Sequence, residues 1–306
     1  MIETEPVEPR PDQEPNLGPL ARLALYIPCW IFVSFAVVGV IFLLAAFVIG
    51  AFGGDIGDIG EEALAAVTTD HVGPFIVVTD AFHVALTLGF LWLIDRKKLK
   101  NIGLDWSPVR AHQLVVGLLV GASFVAVMLG SYWLVGWMRF ESVQTNWLGW
   151  VLSTLLVYPM IGFAEELVFR GYVMTNLEEW RGRAVAIGGS SILFWMVHLG
   201  GGNVHEPLGV ATMIATAVVF ALARYGSGGL WLPIGLHVTY DWAAISLTAP
   251  EDLPLPALFK GEVLVEGWLV GAPGYAGLVD LLWVLALLAV VWLFLLRRRR
   301  YHDTEL

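Results

Sequence analysis

The 306-residue sequence contains little charge and a single cysteine. Only 14% of its residues are charged, against about 25% in an ordinary soluble domain. This deficit excludes a soluble globular enzyme of the usual kind. Because Cys29 is alone, the chain can form neither an internal disulfide nor a thiolate metal cluster. The formal net charge of −10 argues against a nucleic-acid partner.

The sequence is rich instead in long apolar runs, with 58% hydrophobic residues and a mean hydropathy of +0.73. A helix that crosses a bilayer needs about 20 mostly apolar residues. We predict an all-α, multi-pass protein of the cell membrane with eight transmembrane helices. The predicted spans are Leu23–Phe52, Pro74–Ile94, Gln113–Trp137, Leu148–Leu177, Ala184–Leu199, Leu208–Arg224, Gly229–Leu247 and Gly277–Leu296.

Three regions are predicted along the chain. Residues 1–20 are rich in proline and acidic residues, a composition that cannot bury a core, and we predict a disordered cytoplasmic tail there. The first residues also lack the basic segment of a secretory signal. Residues 21–300 are predicted to form one transmembrane domain, and residues 301–306 a short cytoplasmic tail.

The basic residues predict the orientation, because loops rich in Lys and Arg remain in the cytoplasm. If both termini are cytoplasmic, 14 of the 17 basic residues belong to cytoplasmic segments. The opposite loops contain only Arg139 and Lys260, and Arg170 lies inside a span. We therefore expect the N- and C-termini to be cytoplasmic.

Charged groups inside the fourth predicted span form the first candidate site. A charge at the bilayer centre costs at least about 2.5–3.5 kcal/mol, so a function is expected for it. Glu166 and Arg170 are four residues apart, which suits an ion pair on a helix. Glu165 points about 100° away and is left free to act as a general base. The alternative is a salt-bridge network that only fixes helix packing.

Two histidine-containing motifs follow on the fifth and seventh predicted spans. Phe194 and His198 lie one turn apart, and so do His237 and Asp241. Each histidine taken alone is also explained as a hydrogen-bonded packing residue.

Counting residues from the turns predicts that the three motifs meet at one depth. Glu165 lies 17 residues before Gly182 and His198 lies 16 residues after it. Both are therefore about 25 Å from the turn, and an antiparallel pair of helices brings them level. His237 lies 10 residues beyond Ser227, or about 15 Å. We expect one polar layer and a cavity that opens towards the cytoplasm.

Asp80 and His83 are ionisable residues on one face of the second predicted span. Since they lie near its outer end, we interpret them as packing or interfacial groups.

The three motifs, in this order on apolar spans, resemble the CPBP family, which includes the type II CAAX prenyl proteases and their bacteriocin-processing and abortive-infection relatives. The resemblance covers about residues 148–247. It implies an intramembrane endopeptidase that hydrolyses a peptide bond in a cytoplasm-facing cavity. By this resemblance Glu165 and His198 activate a water molecule, while His237 and residue 241 stabilise the oxyanion. The supporting residues are Glu166, Arg170 and Phe194.

One position departs from the family pattern. Many members have Asn where this chain has Asp241. An amide can donate a hydrogen bond to an oxyanion, whereas an ionised carboxylate cannot. Asp241 is therefore expected to remain protonated, to orient His237 or to bind a metal.

Several alternatives are left open. No cofactor is required, but zinc could be held by Glu165, His198, His237 and Asp241, although the chain has no His-Glu-x-x-His motif. The expected partners are membrane lipids and a peptide or protein substrate, with or without a lipid modification, and no nucleic acid.

Buried ionisable residues also occur in proton-coupled transporters, so a transporter is one rival function. A non-catalytic immunity or scaffold protein is another.

Overall fold

The computed structural model describes residues 17–51, 72–143, 146–199, 206–249, 255–271 and 276–303. Most of the predicted N-terminal tail, residues 1–20, lies outside the described residues, as do residues 304–306. The described chain is predominantly helical, with one small two-stranded sheet. Its elements are α1 (Pro19–Ala51), α2 (Val72–Gly89, extended by a π-helical turn over Phe90–Ile94), α3 (Pro108–Leu134), β1 (Met138–Ser142), α4 (Trp147–Arg181), α5 (Arg183–Val197), α6 (Pro207–Ser227), α7 (Trp231–Thr248), β2 (Phe259–Val263) and α8 (Leu278–Asp303).

Each of the eight predicted stretches coincides with one of these helices, with ends that differ by a few residues. Five of the helices, α1, α2, α3, α4 and α6, are long and apolar enough to cross a membrane. Helix α5 and the apolar part of α8, Leu278–Leu293, are shorter. The described helices therefore belong to a membrane protein with several apolar helices, while the count of eight spans stays a prediction.

Helix α4 changes its winding at the first candidate site. Tyr158–Glu165 is α-helical, Glu166–Val173 is π-helical, and Met174–Arg181 is α-helical again. Wide π turns are rare and are frequently found at functional sites. The change falls between the two adjacent glutamates, so it sets the directions in which their side chains leave the helix.

Glycines allow α7 to pack very close to its neighbours. A Cβ atom on Gly235 of α7 would lie 2.4 Å from the carbonyl oxygen of Leu114 in α3. A Cβ atom on Gly162 of α4 would lie 2.6 Å from a methyl group of Val238 in α7. These contacts leave no room for a side chain, and they fix α7 against both helices at the level of His237.

The basic loops come together at one end of the helices. Arg22 at the start of α1 donates to Asp95 at the end of α2, with an Nη1–Oδ2 distance of 3.0 Å. Tyr172 of α4 donates to the other carboxylate oxygen of Asp95 at 2.8 Å. On α3, Arg110 donates to the carbonyl oxygen of Gly228, just after α6, at 2.8 Å. We call this the basic end.

The opposite end is closed by the sheet and by the start of α8. Strands β1 and β2 pair antiparallel, with Met138 opposite Val263. Tyr132, in the last turn of α3, donates to Asp280 in the first turn of α8 at 2.7 Å. Asp280 also accepts from the backbone N–H groups of Gly271 and Gly277. We call this the sheet end.

Candidate active site

Glu165 lies between the two predicted site histidines. Its Oε1 atom is 3.7 Å from Nε2 of His198, and its Oε2 atom is 3.6 Å from Nε2 of His237. Both distances are longer than an ordinary hydrogen bond, so Glu165 faces the two rings without bonding directly to either. The fourth, fifth and seventh predicted spans therefore bring these three side chains together.

Glu166 and Arg170 form the predicted ion pair, with an Nη1–Oε1 distance of 3.0 Å. Both side chains are fully buried. The same Glu166 oxygen accepts from Nδ1 of His237 at 3.0 Å. Arg170 also donates to the carbonyl oxygen of Ala217 in α6 at 3.0 Å. The pair thus anchors the His237 ring, whereas Glu165 takes no part in the ion pair.

His198 is oriented by its own helix. It follows the last residue of α5, and its Nδ1 atom donates to the carbonyl oxygen of Phe194 at 2.7 Å. A neutral imidazole that donates from Nδ1 has an acceptor lone pair on Nε2. The Phe194 ring packs on His198 with a centroid distance of 4.6 Å, and the guanidinium carbon of Arg170 lies 4.3 Å from the centre of that ring. The acceptor nitrogen of His198 therefore points to Glu165.

Asp241 contacts the same ring nitrogen of His237 that faces Glu165. The distance between Asp241 Oδ2 and His237 Nε2 is 3.4 Å. His237 consequently meets carboxylates through both ring nitrogens, since Glu166 is on the other side. An imidazolium, which carries a proton on each nitrogen, fits this surrounding best. Of the three roles expected for Asp241, the contact favours the orientation of His237.

The site opens into a cavity of about 540 Å³. Helices α2 to α8 all contribute to its wall, which is apolar over most of its area. Its polar and ionisable wall residues are Thr79, Asp80, Tyr132, Glu165, His198, Thr212, Thr216, His237, Tyr240, Asp241, Thr248 and Asp280.

Asp80 is a wall residue that the sequence led us to interpret as a packing or interfacial group. Its neighbour His83 is indeed a packing residue, because it stacks on Trp30 and its Nε2 atom lies 2.8 Å from the hydroxyl of Ser34. Asp80 lies 3.5 Å from Nδ1 of His83 but also lines the cavity, as Glu165 does. The spacing of Asp80 and His83 on one helix carries no information about this tertiary neighbourhood.

The described residues contain no group of three or more His, Cys, Asp or Glu side chains arranged to hold a metal ion. Glu165, His198, His237 and Asp241 have suitable donor atoms. In this arrangement they do not form a ready set of ligands.

The cavity and the basic loops lie at opposite ends of the helices. Many wall residues come from the last turns of α3 and α7 and from the first turns of α2, α6 and α8, towards the sheet end, whereas Glu165, Phe220 and His237 lie nearer the middle of their helices. The cytoplasmic position of the basic loops and the side of the membrane on which the cavity opens both stay predictions. Counting residues gave a depth of about 25 Å from the basic turn, which lies within the span of a hydrocarbon core of about 30 Å.

Residues 144–243 match the family described as type II CAAX prenyl endopeptidase Rce1-like. This segment is Rce1-like. The resemblance to the CPBP family is thereby confirmed over a range close to the predicted one. The Rce1-like segment contains Glu165, His198, His237 and Asp241, whereas Asp80 and Asp280 lie outside it. The chain matches no curated protein and no solved structure.

Proposed function

We propose that this chain is an intramembrane endopeptidase of the CAAX-protease-like type, in which Glu165 and His198 activate a water molecule. The Rce1-like segment supports a protease of this class. The observation that carries the assignment of residues is the position of Glu165, 3.6–3.7 Å from a nitrogen of each histidine at the wall of a cavity.

The first step is the attack of water on the peptide carbonyl. The lone pair on His198 Nε2 accepts a hydrogen bond from the water, and Glu165 removes a proton from it. The hydroxyl oxygen then forms a bond to the carbonyl carbon, and the carbonyl electron pair moves onto its oxygen. The partly buried position of Glu165 strengthens its interaction with the water, because bulk solvent reaches only part of the carboxylate.

The second step is the collapse of the tetrahedral intermediate. His237 stabilises the oxyanion through its Nε2–H group, and its Nδ1–H group remains bonded to Glu166. When the oxyanion re-forms the carbonyl, the C–N bond breaks. Glu165 returns its proton to the leaving amine, so the site is restored when the products leave.

Glu166, Arg170 and Asp241 act through His237 in this proposal. The buried ion pair of Glu166 and Arg170 holds Nδ1 of His237, and Asp241 faces Nε2 from one side. They are positioning residues, since the shape of the site depends on them but the transferred proton does not pass through them.

The test is a cleavage assay on co-expressed membrane-anchored reporter peptides, with Glu165→Gln compared with the wild type. A general base contributes about 10²–10⁴-fold to a rate, so we expect the variant to lose cleavage by at least about 100-fold. The matched control is Glu141→Gln, an exposed carboxylate at the sheet end, which we expect to keep full activity. Full proteolysis by Glu165→Gln would contradict the proposal.

A transport assay on the wild-type protein separates the protease from the transporter alternative. Uptake of a solute into proteoliposomes by the wild type, without cleavage of any reporter peptide, would favour a proton-coupled carrier.

A further inference from the structure

Asp80 is a carboxylate on the cavity wall to which the proposed reaction gives no role. It lies on α2, outside the Rce1-like segment, and its side chain is 15% exposed. Phe75, Ile76 and Thr79 line the cavity beside it, on the same face of α2. A charged group in a mostly apolar wall is costly to keep, so its surroundings decide what it can do.

Asp80 is nearly level with Glu165. Helices α2 and α4 run in the same direction, from the sheet end to the basic end. Near the sheet end they touch at Gly73 and Val157, where a Cβ atom on the glycine would lie 3.3 Å from a valine methyl group. Asp80 lies seven residues beyond Gly73, and Glu165 lies eight residues beyond Val157, which corresponds to about 10 and about 12 Å along the two helices. Both side chains line the cavity, and the charge of Asp80 acts on Glu165 and on His237.

Helix α1 holds Asp80 in place through His83. The Oδ1 atom of Asp80 lies 3.5 Å from Nδ1 of His83, one turn further along α2. His83 is buried, stacks on Trp30 of α1 with a centroid distance of 4.6 Å, and has its Nε2 atom 2.8 Å from the hydroxyl of Ser34. A carboxylate has about four lone-pair sites. His83 can occupy one of them, and the others can accept from a group in the cavity.

Several of the other polar wall groups already have partners. Tyr132 donates to Asp280, which also accepts from two backbone N–H groups. The hydroxyl groups of Thr216 and Thr248 donate to backbone carbonyl oxygens of their own helices. Because these groups are committed to the fold, Asp80 is better placed than they are to bind a molecule in the cavity.

A peptide in this cavity brings N–H groups that need acceptors. The wall is mostly apolar, and an N–H group that loses water without gaining a partner costs free energy. In the proposed reaction Glu165 and His198 bind the water, and His237 binds the carbonyl oxygen. None of these three roles provides an acceptor for an N–H group of the peptide. A carboxylate is a strong acceptor for such a group, because the bond is charge-assisted.

We propose that Asp80 is a substrate-binding residue whose carboxylate accepts a hydrogen bond from a backbone N–H group of the peptide next to the scissile bond. This bond holds the peptide beside Glu165 and fixes its carbonyl group against the water. It recognises the backbone and places no demand on the side chains of the substrate. The identity of the bound molecule rests on the proposed protease function, whereas the contact itself does not depend on catalysis.

The experiment combines a change in the protein with a change in the peptide. The protein carries Glu165→Gln, so that the peptide is bound and not cleaved, with or without Asp80→Leu. The probe is a fluorescent form of the reporter peptide from the cleavage assay, unmodified or with a single N-methyl group on one backbone nitrogen near the scissile bond. Asp80→Leu removes the acceptor and the N-methyl group removes the donor. Binding in detergent is measured for all combinations.

Loss of a hydrogen bond to a charged group weakens binding by about 10- to 100-fold. We expect Asp80→Leu to weaken binding of the unmodified peptide by about this factor, and one N-methylated peptide to bind equally weakly with and without Asp80→Leu. Asp80→Asn keeps an acceptor oxygen and should recover most of the binding. Glu141→Gln, at an exposed carboxylate, is the control and should leave binding unchanged. Asp80→Ala is the second variant if Asp80→Leu does not fold.

Independent effects of Asp80→Leu and of every N-methyl group would overturn the proposal, because Asp80 would then act only on the fold through His83. Unchanged binding in Asp80→Leu would overturn it as well. Cleavage that persists in Glu165→Gln, together with a shared effect of the two changes, would remove the catalytic assignment and leave the contact as proposed. Reporter peptides that bind to none of the proteins would contradict the contact and the protease together.

Discussion

The protein contains two polar clusters built from the same kinds of side chain, and they are arranged differently. At the basic end, Arg22 lies 3.0 Å from Asp95 and 2.7 Å from Glu179. At the cavity, the contacts of His237 with Asp241 and Glu165 are 3.4 and 3.6 Å long. The first cluster consists of direct hydrogen bonds, whereas in the second Glu165 and Asp241 stand slightly apart from Nε2 of His237, whose other nitrogen is bonded to Glu166. Direct bonds stabilise a fold, whereas polar groups that are not bonded to one another keep their donors and acceptors available for a reacting molecule.

The two central carboxylates show the same difference. Both oxygens of Asp95 accept hydrogen bonds, from Arg22 on one side and from Tyr172 on the other. Glu165 Oε2 is buried and accepts no hydrogen bond from the described residues. An unsatisfied buried acceptor costs about 1–3 kcal/mol, and this oxygen is therefore available to bind a molecule that enters the cavity. Substitutions in each cluster should therefore separate stability from activity.

The largest effect on stability is expected for Asp95→Asn. The substitution keeps the shape but removes the charge that faces Arg22 in a buried pair, and breaking such a pair costs about 3–5 kcal/mol. We expect a clear fall in the thermal unfolding midpoint in detergent, with unchanged cleavage per folded molecule at lower temperature. Glu165→Gln is the counterpart, with unchanged unfolding and lost cleavage. If both variants lose stability equally, the distinction between the clusters is wrong.

A smaller effect is expected where α7 touches α3. Gly235→Ala places a Cβ atom 2.4 Å from the carbonyl oxygen of Leu114, and overpacking of this kind costs about 1–3 kcal/mol. Because α7 carries His237, the same shift should reduce cleavage as well as stability. Gly188→Ala on α5 is the control, since a Cβ atom there has nothing within 4 Å. Equal behaviour of the two variants would show that the close approach of α7 is unimportant.

Asp241→Asn should change the reaction only mildly. An Asn at this position can still accept from His237 through its oxygen, and its amide can donate to an oxyanion. We expect cleavage to stay within about tenfold of the wild type, a difference of about 1.4 kcal/mol. Asp241→Leu is the matched comparison, because it removes all hydrogen bonding. A loss with Asn as large as with Leu would show that the negative charge itself is required.

The sequence predicts the helices and the ion pair of Glu166 and Arg170 well because both are local patterns. Apolar runs indicate the helices, and four-residue spacing predicts the pair of Glu166 and Arg170. Counting residues from Gly182 also predicts that Glu165 and His198 lie level. A depth count does not say from which side the site is reached, so the expectation of a cytoplasm-facing cavity stays a prediction.

Features that depend on packing between helices could not be predicted. The π-helical turn over Glu166–Val173 has no local sequence signal that distinguishes it from an ordinary helix. Asp80 belongs to the cavity only because α2 packs beside α4. Gly235 reads as a neutral helix residue until α3 is placed against it. In each case the deciding neighbour is distant in the sequence.

The smallest effect is expected for Asp105→Asn at the exposed margin of the basic end. Asp105 accepts from Nε and Nη2 of Arg110 at 3.2 and 3.1 Å, and this bond holds the pKa of the Asp105 carboxyl below its usual range. A lowered pKa in the folded state adds stability above the unfolded pKa, and this stability is lost as the pH falls through the folded value. Because the pair is partly exposed, the difference from the wild type should stay below about 1 kcal/mol at neutral pH and vanish in strong acid. Unfolding measured across this pH range checks both points. A difference that persists in acid would show that Asp105 acts through its shape and not its charge.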